Sequence, residues 1–494
     1  MAGLSGGPGG NGLARRQAPP DGGAAGPPAP PGHDLTTGAL PAHFRRLAVP
    51  GAVGMVFSTL TNVTDTFFAG MISTSAQAGL ALSAQVFMLL VALGFGMNGA
   101  MAALVGNALG ARSGAQARIA GQGLILAALI ALALLVAGRL LAPALVGLIA
   151  APGPARIAAQ DYLTILLWAA PAFLVGWGAN GILSAQGDTR SMSRAQIGIF
   201  LANAGLDPLL VFGIPGLLPG MGFDGIAVST VLCNLGMLGW ILWRVMRSPV
   251  MAGAARRWRP DPGLWLTILA QAVPASLAMV IMMIAGFVLQ YHLAGYGAEA
   301  QAAYGVALRI EQVLLLPAFG LTGALLPIAA QNLGAGRAER VREAARFCVV
   351  TGWVLMLGAA AILWLGGRAA MGLFTDDARV IALGAGYLAV DGFLLPVYVT
   401  LFAINALLQA FRRPVWVMVI GLWRQGVAVA LFVRLFSVGL GLGVPGVWYG
   451  LAAAVLSGLV LAVAIVEWQA RPLVGGLLWR AGPRPGAGGA GARG

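Results

Sequence analysis

The chain has no lysine, only three histidines and two cysteines, and only 9% of its 494 residues are charged. Each shortage excludes something. Cys233 and Cys348 both lie inside apolar runs, so neither a disulfide framework nor a cysteine metal cluster follows; they read as two small buried hydrophobes. His33 and His43 fall in or beside a Gly/Pro/Ala-rich stretch and read as solvated, which leaves His292 as the one histidine within or near an apolar run. No metal-ligand spacing, nucleophile–base set or phosphate loop appears, so an enzyme and a resident cofactor are not expected. A primary pump is not expected, since no GxxxxGK[ST] motif appears. The scarcity of charge, with 59% hydrophobic residues and a mean hydropathy of +0.85, excludes a water-soluble domain of this length.

What is present is a series of twelve apolar runs. They fall near 45–70, 81–107, 117–143, 158–185, 192–214, 225–246, 265–293, 302–332, 342–366, 381–411, 414–439 and 446–468. A helix needs roughly 20 apolar residues to cross a bilayer, so the expected fold is all-α and polytopic, with twelve transmembrane helices. The net charge of +14 comes from arginine clustered in alternate short connections: Arg112 and Arg118, Arg190 and Arg194, Arg244 to Arg259, Arg337 to Arg346, Arg412 and Arg413. That alternation is the positive-inside pattern rather than a nucleic-acid surface, and it puts both termini in the cytoplasm. The expected division is a disordered cytoplasmic tail over 1–40, a six-helix lobe over 41–248, an inter-lobe linker over 249–263, a second six-helix lobe over 264–470 and a disordered cytoplasmic tail over 471–494. The linker, with Arg256, Arg257, Trp258 and Arg259, is expected to lie at the lipid headgroups.

The two lobes read as copies of each other. At an offset of about 224 residues Pro50 falls on Pro274, Leu109-Gly110-Ala111 on Leu333-Gly334-Ala335, Tyr162 and Pro171 on Tyr387 and Pro396, and Gly225 on Gly450. Six spans per copy make them parallel repeats about an axis along the membrane normal, with a cavity between. The acids do not repeat: Asp65 maps to Leu289, and Asp207 to the apolar stretch Ala430–Phe432. Their confinement to the first lobe favours function over folding.

Asp65 stands in the first run with no adjacent counter-charge. An ionisable group at membrane depth costs about 2.5 kcal/mol or more and usually faces a cavity or an ion path. In the fifth run Asn203 and Asp207 share a helix face, four residues apart, and Pro208 frees a backbone carbonyl beside them. Counting 1.5 Å per residue, Asp65, Asp207 and Thr230 all lie about 7–9 Å below the ends of their helices. Two carboxylates, an amide and a hydroxyl at one level suit Na⁺, with Asp65, Asn203 and Asp207 as ligands, and equally suit a shared proton. Gln85, Met97, Asn98, Asn180 and Met282 are weaker candidates for a substrate cavity, which yielding methionines would suit. Arg309 and Glu311, two residues apart, do not face each other and are expected to bond to other spans. Asp391 is expected at the membrane interface.

These residues resemble the multidrug and toxic compound extrusion (MATE) transporters, and more closely the DinF-like branch. Pro50 with Asp65 fifteen residues on, Gly187-Asp188-Thr189-Arg190, Asn203 to Asp207-Pro208, and GALLPIAAQNLGAGR from Gly323 to Arg337 carry the resemblance over most of residues 45–470. It implies two six-helix lobes in the inner (plasma) membrane and efflux of organic, often cationic, compounds by alternating access, driven by inward H⁺ or Na⁺. Its partners would be small organic cations and the bilayer, with no nucleic acid, and its state a monomer. By position, Asp65, Asn203, Asp207 and Thr230 look like the cation site, and Pro50 like a bend that moves with protonation. Met282 stands where the other bacterial branch has an acid. A lipid-linked oligosaccharide flippase is the alternative. It would want a cationic cavity for pyrophosphate, and here intramembrane arginines are few and the spans number twelve rather than fourteen.

Overall fold

The computed structural model describes residues 34–252 and 258–477. Within them are twelve helices long and apolar enough to cross a membrane: α1 (Leu40–Ile72), α2 (Thr74–Gly110), α3 (Gln116–Leu148), α4 (Pro154–Ala185), α5 (Arg190–Phe212), α6 (Phe223–Met246), α7 (Pro262–Ala294), α8 (Ala298–Gly334), α9 (Ala338–Gly372), α10 (Ala378–Ala410), α11 (Pro414–Gly439) and α12 (Gly443–Val474). A bilayer offers backbone groups no water, so the apolar segments satisfy them internally as helices. The ends follow local chemistry. Pro154, Pro262 and Pro414 open helices, where their missing N–H is not needed. Side chains of Ser73, Asp261 and Asp377 accept from the first free amides of α2, α7 and α10. A short antiparallel pair, Gly213–Ile214 with Leu218–Pro219, joins α5 to α6.

Helices α1–α6 pack into one lobe and α7–α12 into the other, and the lobes meet through α1 on α8, α2 on α7, and α2 on α8. The first two contacts are repeat-equivalents of each other, and the third joins the two equivalent helices. The meeting is closest at the arginine-rich end. A Cβ at Gly110 would fall 1.9 Å from the Gln331 carbonyl oxygen, and one at Gly334 only 2.1 Å from that of Asn107. The landmark glycines of the repeat thus lie against one another's helices, where only a missing side chain lets two backbones touch. Gly320 on Ala48 and Gly96 on Ala272 continue the seam. Away from that end the lobes diverge around a cavity of about 2100 Å³.

Three sequence expectations need correction. Residues 1–33 lie outside the described residues, His33 among them, but Asp34–Gly38 belong to no disordered tail. Leu35 is fully buried; its N–H donates to Gln331 Oε1 (2.9 Å) and its carbonyl accepts from Asn332 Nδ2 (3.1 Å). Arg337 and Arg340 donate to the carbonyls of Thr36, Thr37 and Gly38, and the Leu35 side chain lies over Gly187 of the first lobe. His43 closes this strap by bonding the Thr37 carbonyl. The linker does not begin at the headgroups either: Val250 and Met251 are buried in the first-lobe core, while Arg256 and Arg257 lie outside the described residues. At the other end α12 runs through Arg471 to Val474, and 478–494 lie outside the described residues.

Outside the spans, Asp188 ties the turn between α4 and α5. Burial alone would raise its pKa, but hydrogen bonds from Ser191 and the Arg244 guanidinium (3.0 Å) hold the carboxyl below its ordinary value. A depressed folded pKa stabilises above the unfolded value, about 3.9, and that contribution is lost as pH falls through the folded value. Asp188→Asn is therefore expected to lower thermal stability in detergent by about 1 kcal/mol at neutral pH. The gap to wild type should close below about pH 4. A gap that is unchanged from pH 7 to pH 3 would show that the charge plays no part.

Candidate functional site

The first-lobe acids converge. Asp65 on α1 and Asp207 on α5 are both buried and close enough to interact directly. Asn203 Nδ2 donates to Asp207 Oδ1 (3.1 Å) and to Ser229 Oγ (3.3 Å), and Thr230 Oγ1 donates to Asp65 Oδ2 (3.4 Å). Four residues make one helical turn, which is why Asn203 and Asp207 meet on α5. Pro208 lies inside the continuous α5 and cannot donate to the Ala204 carbonyl at the same turn. Three oxygens are left without a partner: Asp65 Oδ1, Asp207 Oδ2 and Asn203 Oδ1. No ion pair satisfies either carboxylate among the described residues. A buried carboxylate without a counter-charge is strongly unfavourable, so this all-oxygen cluster calls for a proton or a hard cation.

Asp65, Thr230 and Pro50 line the cavity, whereas Asn203 and Asp207 lie behind the wall. An ion on the cluster and a molecule in the cavity would therefore share Asp65. Pro50 sits inside an unbroken α1, fifteen residues before Asp65. Two residues belong here that sequence reasoning did not single out as site residues. Tyr162 on α4 is buried beside Asp65 and Thr230; its recurrence as Tyr387 at the repeat offset was the available signal. Ser229 reaches Asn203 and Asp207 where the sequence pointed only to its neighbour Thr230.

Among the weaker candidates, Asn98, Asn180 and Met282 line the cavity, and the amide oxygens of Asn98 and Asn180 have no partner. Gln85 and Met97 do not line it. Gln85 is exposed but is not part of the cavity lining, and Met97 is packed in the first-lobe core. Helix α2 is apolar around its circumference, so its sequence period does not mark the cavity face.

The second lobe has acids of its own. Asp391 is not interfacial: it is 1% exposed, and neither carboxylate oxygen has a partner. Glu311, as expected, bonds another span, accepting from Tyr387 Oη at 2.6 Å. Arg309 does not; it lines the cavity and makes no ion pair within the described residues. The asymmetry read from the sequence holds for the positions of Asp65 and Asp207, not for buried acids as a class.

Twelve spans, two quasi-equivalent lobes and a cavity with a buried acid on its wall define a multi-pass membrane transporter. The chain belongs to the MatE family, whose pattern it matches twice, over residues 50–209 and 274–433, starting 224 residues apart. It is 27% identical over 441 residues to a FAD transporter of Shewanella oneidensis, covering 87% of this chain and 95% of that one. It is also 27% identical to the multidrug resistance protein NorM of Burkholderia vietnamiensis, over 90% of this chain and 95% of that one. The probable multidrug resistance protein NorM of Thermotoga maritima is 24% identical, over 87% and 93%. A solved outward-facing multidrug resistance MATE family transporter shares the fold, with a TM-score of 0.83 and 23% identity over 90% of this chain and 98% of that one.

Proposed function

We propose that the protein is a secondary antiporter, and not an enzyme, that exports organic compounds, cations among them, in exchange for H⁺ or Na⁺. The observation that carries this is the Asp65–Asn203–Asp207 cluster, whose unpartnered oxygens meet the cavity wall at Asp65. Ion and cargo compete for one carboxylate, so loading the ion releases the cargo. Names of relatives support transport of organic compounds: multidrug resistance for the NorM proteins, multidrug export for a MepA protein and FAD for the Shewanella transporter. The residues that carry the resemblance support the DinF-like branch as the reading within the family. With the arginine-rich end cytoplasmic, the seam at Gly110 and Gly334 closes the inside and the cavity faces out. Both termini are then cytoplasmic, in the inner membrane, and one chain suffices because the cavity lies between its own lobes. The flippase reading has less support, since no relative named above carries a lipid-linked sugar.

Ethidium uptake into inside-out vesicles tests this reading. An imposed pH gradient or an imposed Na⁺ gradient should each be tried alone, and one is expected to drive accumulation above vesicles lacking the protein. Accumulation under neither gradient, with protein present in the membrane, would remove the antiporter.

A further inference from the structure

The charge on the cavity wall does not match a cavity built for cations alone. Among the described residues its lining contains three charged side chains: Asp65 on the first lobe, and Arg309 and Arg424 on the second. Neither arginine has a carboxylate within 4 Å among the described residues. The buried acid nearest in sequence to Arg309 is Glu311, but two helical residues are separated by about 200°, and Glu311 turns into the lobe toward Tyr387. Arg424 lies within electrostatic range of Glu311 and Tyr398 without forming an ion pair to either. An unpaired arginine at membrane depth is costly and marks a polar path or ligand.

Arg424 is also positioned by its surroundings. It sits in a π-helical turn, Leu422–Val427, a local widening that is frequent at functional sites. Its aliphatic stem lies over Gly458 of α12, where a Cβ would come within 2.7 Å of Arg424 Cγ. The missing side chain thus makes the groove that carries the guanidinium to the cavity. Gln425 lines the cavity beside it. A guanidinium presents a planar fork of donors to phosphate, sulfonate or carboxylate. Aromatic rings stand on both lobes of the same cavity, Phe95 against Trp177 (4.5 Å) and Phe319 against Phe402 (4.8 Å). The volume, about 2100 Å³, exceeds the roughly 300–1,000 Å³ of sites for drug-sized ligands. An extended molecule can therefore span both walls.

From these observations we infer that Arg309 and Arg424 form an anion-binding wall in the cavity, so that aromatic molecules bearing a phosphate, sulfonate or carboxylate are a second class of cargo. The inference rests on the transport reading and extends it: rings lie between the lobes while the anionic group bonds the second-lobe arginines. A molecule carrying both signs would reach Asp65 with its cationic end.

The test compares riboflavin 5′-phosphate, uncharged riboflavin and ethidium in proteoliposomes of the full chain. Wild type is expected to transport the phosphate in preference to riboflavin. Arg309→Gln and Arg424→Gln should each lower the ratio of phosphate to ethidium transport by about tenfold, the effect of one charge-assisted hydrogen bond. Arg424→Lys should recover part of it. Binding of the phosphate to the detergent-solubilised chain, followed by tryptophan quenching, is the second readout and should weaken in the same order. Transport of ethidium by wild type without transport or binding of the phosphate overturns the inference and leaves the antiporter standing. Unchanged ratios in both glutamine variants overturn it as well. If no probe is transported but the phosphate binds and the variants lose it, the anion site stands and the antiporter falls.

Discussion

Asp65→Asn is expected to reduce gradient-driven ethidium export to the level of vesicles without the protein, while the folded chain remains in the membrane. Asparagine keeps the shape and the hydrogen bond from Thr230 but removes the group that takes up a proton or a cation charge. Folding should not suffer. The Asp65 carboxylate has one oxygen without a partner and no counter-charge, so its neutral isostere removes a buried charge rather than a stabilising contact. Thermal stability in detergent should stay level or rise. Asp207→Asn should behave alike, because Asn203 can still bond the amide oxygen. The two variants together should be no worse than either alone, as expected of groups acting as one unit. Export at the wild-type rate by both single variants would leave the cluster with no role in coupling.

Gly110→Val should also abolish export, for a different reason. Its Cβ would sit 1.9 Å from the Gln331 carbonyl oxygen and 3.0 Å from the Ala335 amide nitrogen, both backbone atoms that cannot swing aside. Relief requires α2 and α8 to separate at the arginine-rich end, a cost of several kcal/mol when two packed backbones are forced apart. About 1.4 kcal/mol already shifts a two-state equilibrium tenfold. Spin labels placed across that end should report a longer distance in Gly110→Val than in wild type, whereas Asp65→Asn should leave the distance unchanged. Gly334→Val should reproduce the effect from the other side. Closure and export intact in both valine variants would mean the seam is not needed for transport.

The lobes and much of the buried acid cluster were legible in the sequence because each left a local mark. Apolar runs set the spans, the single offset revealed the repeat, and an acid inside an apolar run with an Asn–Asp pair one turn apart picked out Asp65, Asn203 and Asp207. What was not legible depends on which way a helix faces. Ser229 and Thr230 are successive residues about 100° apart, and only the packing of α6 on α5 decides that Ser229 meets Asn203. Gln85 and Met97 lie on an all-apolar α2 that carries no facing signal. Asp391 was judged by its distance from the end of a run, yet it is buried on α10 within electrostatic range of Glu311 on α8, which sequence distance does not encode. The landmark glycines were visible as repeat members, but their mutual contact is a property of the assembled lobes.

The strap from Asp34 to Gly38 bridges both lobes at their closed end, so the seam cannot part while it is seated. Its amide at Leu35, bonded to Gln331, should exchange slowly with deuterated water while the seam is closed and quickly once it opens. A single backbone hydrogen thereby becomes a clock for the opening of the seam, readable without an attached probe or cargo.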